Sequence, residues 1–300
     1  MRVTDSYMYD SFISDLQNNM QQLDKINQKI STGLDVNKPS DSPDKIGSII
    51  SLRDSINNIT QYQSNVGATN NYLNATSTAL TSMTNLLNSA QTLAVQSAND
   101  TYSASDRSTM ATQVDNQIQE MLTLGNTQVN GQYIFGGFKT ASQPFTAALT
   151  GTSVTGVTYN GDDGLMPEEI NQNDIINKNV PGSSLTAAGT DVYNSLINFR
   201  NDLQNNNTAG ITADIGTLQD AYNSLTSINT DIGGRLQRTS DVSSTLTNTN
   251  TTLTGIQSTL EDVDMPTAMT NFQLQQNVYQ SALTSISQLM QQTTLADILR

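Results

Sequence analysis

Apolar side chains recur at both ends of the chain in alternating steps of three and four. Near the N-terminus the positions are Tyr9, Phe12, Leu16, Leu23, Ile26 and Ile30, with Asn19 as a polar slot. Near the C-terminus they are Met265, Met269, Phe272, Tyr279, Leu283, Ile286 and Met290, with Gln276 as the slot. This spacing predicts two helices carrying coiled-coil stripes. Such stripes can pair within one chain or be offered to copies of it.

Between them lie two longer heptad runs. Leu52, Ile59, Val66, Leu73, Leu80, Leu87 and Ala94 recur every seven residues, with companions at Ile49 and Ile56 that turn polar at Gln63, Asn70 and Ser77. A helix from about 44 to 99 would span ~80 Å at ~1.5 Å per residue. Ile211, Leu218, Leu225, Ile232, Leu246, Leu253 and Leu260 hold one heptad position of the second run, with Thr239 as the exception. Gly233-Gly234 is a candidate kink, and Pro266 separates this run from the C-terminal stripe.

The breaks are equally legible. Gly33 stands where a helix ends in the left-handed region, and Pro39 blocks continuation. Ser42-Pro43 reads as a capped start with a first-turn proline. Asp106 is placed to cap a third helix running to about Val129, and Asp191 restarts helical patterning. Between these helices the period changes. "NGQYIFGGFKTASQPF" (130–145) sets β-formers between glycines, and Val and Thr alternate up to Asn160-Gly161, a hairpin signal. The layout is therefore mainly α: an elongated coiled-coil or helix-bundle rod made by the N- and C-terminal halves, with a small β-rich insertion at its distal end. The expected divisions are terminal helices at 1–38 and 265–300, a helical rod at 39–131 and 189–264, and the insertion at 132–188.

Composition narrows the function. Hydrophobic residues make up 35% of the chain and aromatics 5%, too few for one large core. A net charge of -14 argues against nucleic acid and anionic membranes, which call for clustered Lys and Arg. No apolar run approaches the length of a membrane-spanning helix. Met1 to Ser11 lacks the basic start and apolar block of a cleavable signal. With no Cys and no His, thiolate chemistry and the commonest general base and metal ligand are missing. "NGDDG" (160–164) lacks the alternating ligands and distal Glu of a calcium loop and reads as a turn. Glu168-Glu169 reads as a solvated edge. Gly136-Gly137 has no following Lys-Ser or Lys-Thr, so it is a tight turn or bulge rather than a phosphate loop. Catalytic, cofactor and metal sites are thus expected to be absent.

Attention falls on the ends. Burying a short apolar stripe does not clearly outweigh the entropy of ordering about twenty-five residues. The termini are therefore expected to become helical in company, on assembly. The candidate assembly residues are Phe12, Leu16, Leu23, Ile26, Ile30, Met269, Phe272, Tyr279, Leu283, Ile286, Met290, Leu295 and Ile298.

The nested layout resembles bacterial flagellins and their relatives, the hook-associated proteins of the hook–filament junction. "KISTGLDVNKPSDSPDKIG" (29–47) is similar to the family's turn after its first helix, and "LAVQSANDTYSASDR" (93–107) to its rod-domain stretch. "VNGQYIFGGFKTASQPF" (129–145) resembles the segment opening the outer domain of the junction branch, and the Tyr-Ile-Phe-Gly-Gly run is not usual in flagellins. "TTLADILR" fits the C-terminus of either branch. Residues from about 146 to 188 match nothing recognisable. The arginine that precedes "LAVQ" in receptor-sensed flagellins is missing, so receptor recognition is not carried over.

The resemblance implies a structural, non-enzymatic adaptor that forms a ring of its own copies at the hook–filament junction. It implies a hook-side junction protein and flagellin as partners, terminal helices in an inner tube, and an outward-facing insertion. It further implies export by the flagellar type III apparatus to an extracellular place in the flagellum, with an export chaperone on the C-terminal helix beforehand. The alternatives are a filament flagellin subunit and, more remotely, a secreted lectin-like protein on a helical stalk.

Overall fold

The computed structural model describes the backbone of residues 2–298 and the side chains of Tyr7 and of residues 10–288. The chain is mainly helical, and among the described residues the strands form three antiparallel pairs. It divides into two compact units, Met1–Asn58 with Thr249–Arg300, and Ile59–Asn248.

In the first unit, α1 (Arg2–Thr32) packs antiparallel on α6 (Met265–Ile298). α1 ends as its sequence requires: Gly33 takes φ +75° and donates its N–H to Lys29 O at 2.9 Å. The connector after it is tied to the chain ahead of α6. Asp35 N–H donates to Glu261 O at 2.7 Å and Val263 N–H to Gly33 O at 2.9 Å, around a Leu34–Asp262 bridge. Arg53 pairs with Glu261, whose second oxygen accepts from Gln257. Ser42 behaves differently from a cap. Its hydroxyl donates to Asp44 at 2.7 Å, and its carbonyl accepts from Lys45 and Ile46 to begin the turn ahead of α2 (Ile46–Ser97). Asp264 takes the capping position before α6, so Pro266 falls in a first turn where no donor is lost.

The core of the second unit is built by α2, α3 (Ala104–Gly125), α4 (Val192–Gln204) and α5 (Thr208–Glu261). Leu73, Leu80, Leu87 and Ala94 are buried as their period demands. The second buried position on α2 is not the predicted one. It falls at Thr69, Thr76, Met83, Ala90 and Ser97, three residues after each member of the main run. Gln63, Asn70 and Ser77 lie only half-buried at its border. There Asn70 meets Thr239, and Ser77 donates to Asn229 at 2.9 Å. Thr239 is thus a fully buried member of the α5 stripe, satisfied by Asn70 and Leu236 O. α5 runs uninterrupted through Gly233-Gly234.

The N-cap of α3 lies three residues before the expected one, and the helix ends at Gly125 rather than near Val129. Ser103 is the N-cap and Asp106 is its reciprocal partner in a capping box. Asp191 caps α4 by accepting from Tyr193 and Asn194.

The strands are β1 (Gln128–Val129), β2 (Gln132–Tyr133), β3 (Phe145–Thr150), β4 (Ser153–Tyr159), β5 (Pro167–Asn171) and β6 (Asp174–Asn177). The Asn-Gly hairpin turn is Asn130-Gly131, both at positive φ, joining β1 to β2. Asn160-Gly161 instead follows the end of β4, whose hairpin with β3 closes at Gly151. β5–β6 lies on the helices. Asn65 of α2 donates to Glu169 O at 2.8 Å, and Arg235 of α5 to Asn177 O and Asn179 O.

Candidate assembly surface

The paired α1 and α6 hold most of the sequence-predicted residues, in a rotation that the stripe alone did not give. On α1 the half-buried positions are Ile13, Leu16, Asn19, Leu23, Ile26 and Ile30, with Lys29 at the border held by Asp35. Phe12 is 37% exposed at their edge. On α6 the inward positions are Ala268, Phe272, Gln275, Tyr279, Ala282 and Ile286. Phe272, Tyr279 and Ile286 therefore face α1 of the same chain, whereas Met269 and Leu283 lie outside the seam at 50% and 42% exposure. The polar slot is Gln275 rather than Gln276. Small alanines at 268 and 282 let the helices approach closely, and that selects this rotation over one led by Met269 and Leu283. The side chains of Tyr9, Met290, Leu295 and Ile298 lie outside the described residues.

Sequence reasoning missed how much of α6 is apolar. At 100° per residue, Met265, Met269 and Leu283 form a row on one flank of the seam, and Leu274 and Val278 form a second on the other. All five are exposed, Leu274 most of all. From Met265 to Ala296 the sequence contains no charged residue. α1, in contrast, carries Asp10, Asp15, Asp24, Lys25 and Lys29 among its described side chains. The signal was available as an absence of charge, which a search for periodic apolar residues passes over. A helix apolar on three rows has one row covered by α1 and two without cover among the described residues.

The Tyr133–Phe138 segment, singled out by sequence, is held from several elements at once. Ile134 and Phe135 are fully buried. Tyr72 of α2 donates its hydroxyl to Ile134 O at 3.0 Å, and burial of that phenol pushes it up to about 12. Phe135 O accepts from the Tyr159 hydroxyl at 3.0 Å and from Gly182 N–H at 2.9 Å. Asp162 gathers the N–H groups of Phe138 (2.7 Å) and Gly164 (2.9 Å) on one carboxylate oxygen. These donors hold its carboxyl below the usual range. Asp162 thus works as a turn-former. Glu168 pairs with Lys178 across β5–β6 at 2.8 Å. Among the described residues no group of three or more acidic side chains is arranged to hold a metal.

The fold and its paired helical ends define a helical protein interrupted by a small β-rich segment, and its relatives share that plan. The chain matches the bacterial flagellin N-terminal helical region over residues 3–140 and the bacterial flagellin C-terminal helical region over residues 215–298. It belongs to the flagellin family of bacterial flagellar structural proteins. Flagellar hook-associated protein 3 of Salmonella typhimurium is 30% identical over 152 residues, 50% of this chain and 48% of that protein. The Escherichia coli protein of the same name is 30% identical over 146 residues, 48% of this chain and 46% of that protein. The chain thus aligns with about half the length of these curated relatives. The crystal structure of flagellar hook associated protein-3 from Legionella pneumophila has the same fold, with a TM-score of 0.62 at 16% identity over 71% of this chain and 98% of that one. No described helix is long and apolar enough to cross a membrane.

Proposed function

We propose that this protein is a non-enzymatic adaptor of the bacterial flagellum, assembling with its own copies at the hook–filament junction. The observation that carries the reading is α6, an uncharged helix with three apolar rows, one of them covered by α1. An apolar helix face without cover is stabilised by a neighbouring helix. A ring of copies would supply such helices in the same register around a closed axis. The exposed Met269 and Leu283 then become contact residues between copies, while Phe272, Tyr279 and Ile286 hold the pair together within each copy.

In this reading residues 1–38 and 265–300 form the inner tube. Residues 39–131 and 189–264 form the next shell, and residues 132–188 face outward. The hook-associated names of the relatives favour the junction over the filament. The partners are a hook-side junction protein on one side and flagellin on the other. An export chaperone holds the C-terminal helix before passage through the flagellar type III apparatus.

Deletion of the gene tests the reading. The expected cells build hooks, lack filaments, are non-motile and shed flagellin into the medium. Cells that keep attached filaments would overturn it. Electron microscopy of the concentrated pure protein separates the second reading: long filaments from this protein alone would make it a filament flagellin.

A further inference from the structure

Asp214 stands at a core position of α5. It lies three residues after Ile211 and four before Leu218, both fully buried, and is itself 6% exposed. Its Oδ2 is buried with no hydrogen-bond partner. The carboxyl of Asp202, near the end of α4, lies against this stretch of α5: its Oδ2 stands 2.0 Å from where a Cβ on Gly210, one turn before Asp214, would be, and it is the neighbouring acid that acts on Asp214. Asp202 also receives the Asn207 side-chain amide at 3.0 Å on Oδ1. Two carboxyl groups can hydrogen-bond only if one of them carries a proton.

We propose that Asp202 and Asp214 share a proton, and that this proton is a pH-sensitive latch on the corner between α4 and α5. The surroundings supply no alternative to it. α2 has no ionisable Asp, Glu, Lys or Arg from Ser55 to Asn99. On α3, Arg107 is committed to Ser97 O, Asn99 O and Asn206 Oδ1. Arg200 of α4 is committed to Asp115 and Val154 O. The next ionisable group on α5, Asp220, carries the same sign. Burial, followed by the neighbouring Asp202, pushes the Asp214 carboxyl up to about 7.

The corner has a structure that a second charge would disturb. Asn206 is held at φ 49° with its side chain on Arg107, and Asn207 N–H donates to Asp202 O at 2.9 Å. Losing the proton puts two anions face to face in a site with no free cation among the described residues. A raised folded-state value means that the contribution is complete below the ordinary 3.8 and is lost as pH rises through about 7. The corner is therefore tight in mildly acidic medium and loosened in alkaline medium.

Amide hydrogen exchange on the full chain at pH 5.5 and 8.5, corrected for intrinsic rates, reads this directly. The opening constant across residues 203–214 is expected to rise roughly thirty-fold, the ratio set by a group titrating near 7. In Asp214→Asn that rise should vanish. An equal rise in the variant would overturn the latch. A carbon-13 carboxyl titration of the unaltered protein decides the matter independently of whether the variant folds. An Asp214 midpoint near 7 supports the shared proton, and a midpoint below 5 overturns it.

Discussion

Gln275 donates its side-chain amide to Asn19 Oδ1 at 3.1 Å, across 256 positions of sequence. The two residues sit opposite each other in a seam whose other positions are apolar. A directional bond at one such position fixes the register, because a one-heptad slip would set each amide against an apolar neighbour.

Asn19→Leu should leave Gln275 half-buried without its partner and cost about 1 kcal/mol of pairing between α1 and α6. The double variant with Gln275→Leu should recover that loss while relaxing the register. Amide exchange along residues 13–30 measures the first effect. Disulfide trapping between cysteines introduced at single α1 and α6 positions measures the second, by the number of registers captured.

Phe272→Asp and Leu283→Asp should give different results. Phe272 faces α1, so a charge there should separate the two helices in the monomer. Leu283 is exposed, so its variant should keep the helix pair and lose assembly. Circular dichroism and exchange on dilute protein check the pairing, and complementation of motility checks assembly. Full motility with Leu283→Asp would remove this flank from the assembly surface.

Arg200 is 2% exposed, pairs with Asp115 at 2.6 Å and donates to Val154 O at 2.7 Å. Arg200→Met leaves the Asp115 carboxylate and a buried carbonyl without their partner. A loss of about 3–5 kcal/mol is expected, read by urea unfolding followed through near-ultraviolet absorption of the buried tyrosines.

Gly137 stands at φ +66°, and a Cβ there would lie 2.1 Å from Asp162 O. Gly137→Ala should therefore open the contact between the Tyr133–Phe138 segment and the loop at 160–164. Limited proteolysis should cut the variant there while sparing the unaltered protein. Acid should act on the same contact. The Asp162 carboxyl is lowered by backbone N–H groups, so its contribution is complete above the ordinary 3.8 and is lost as pH falls through its lower folded value. Faster exchange of the Phe138 and Gly164 amides in acid, after intrinsic correction, is the expected sign.

The sequence by itself determined which stretches are helical, where α1 stops and where α4 starts. Heptad spacing, Gly33, Asp191 and the change of period after Val129 are local signals, and local backbone preferences act on them directly. It also located the stripes at the two ends and the diagnostic segment at Tyr133–Phe138. Tertiary structure alone decided which side of each helix is buried. One residue turns a helix by 100°, so Ala268 and Met269, or Thr69 and Asn70, compete for the inside on packing with a partner distant in sequence. Hairpin pairing followed the same rule: of two Asn-Gly pairs, only Asn130-Gly131 had strands brought together on both sides. The burial of Arg200 and Asp214 was not legible although both fall at core spacings, because an ionisable side chain reads as solvated until the elements that cover it meet in the folded chain.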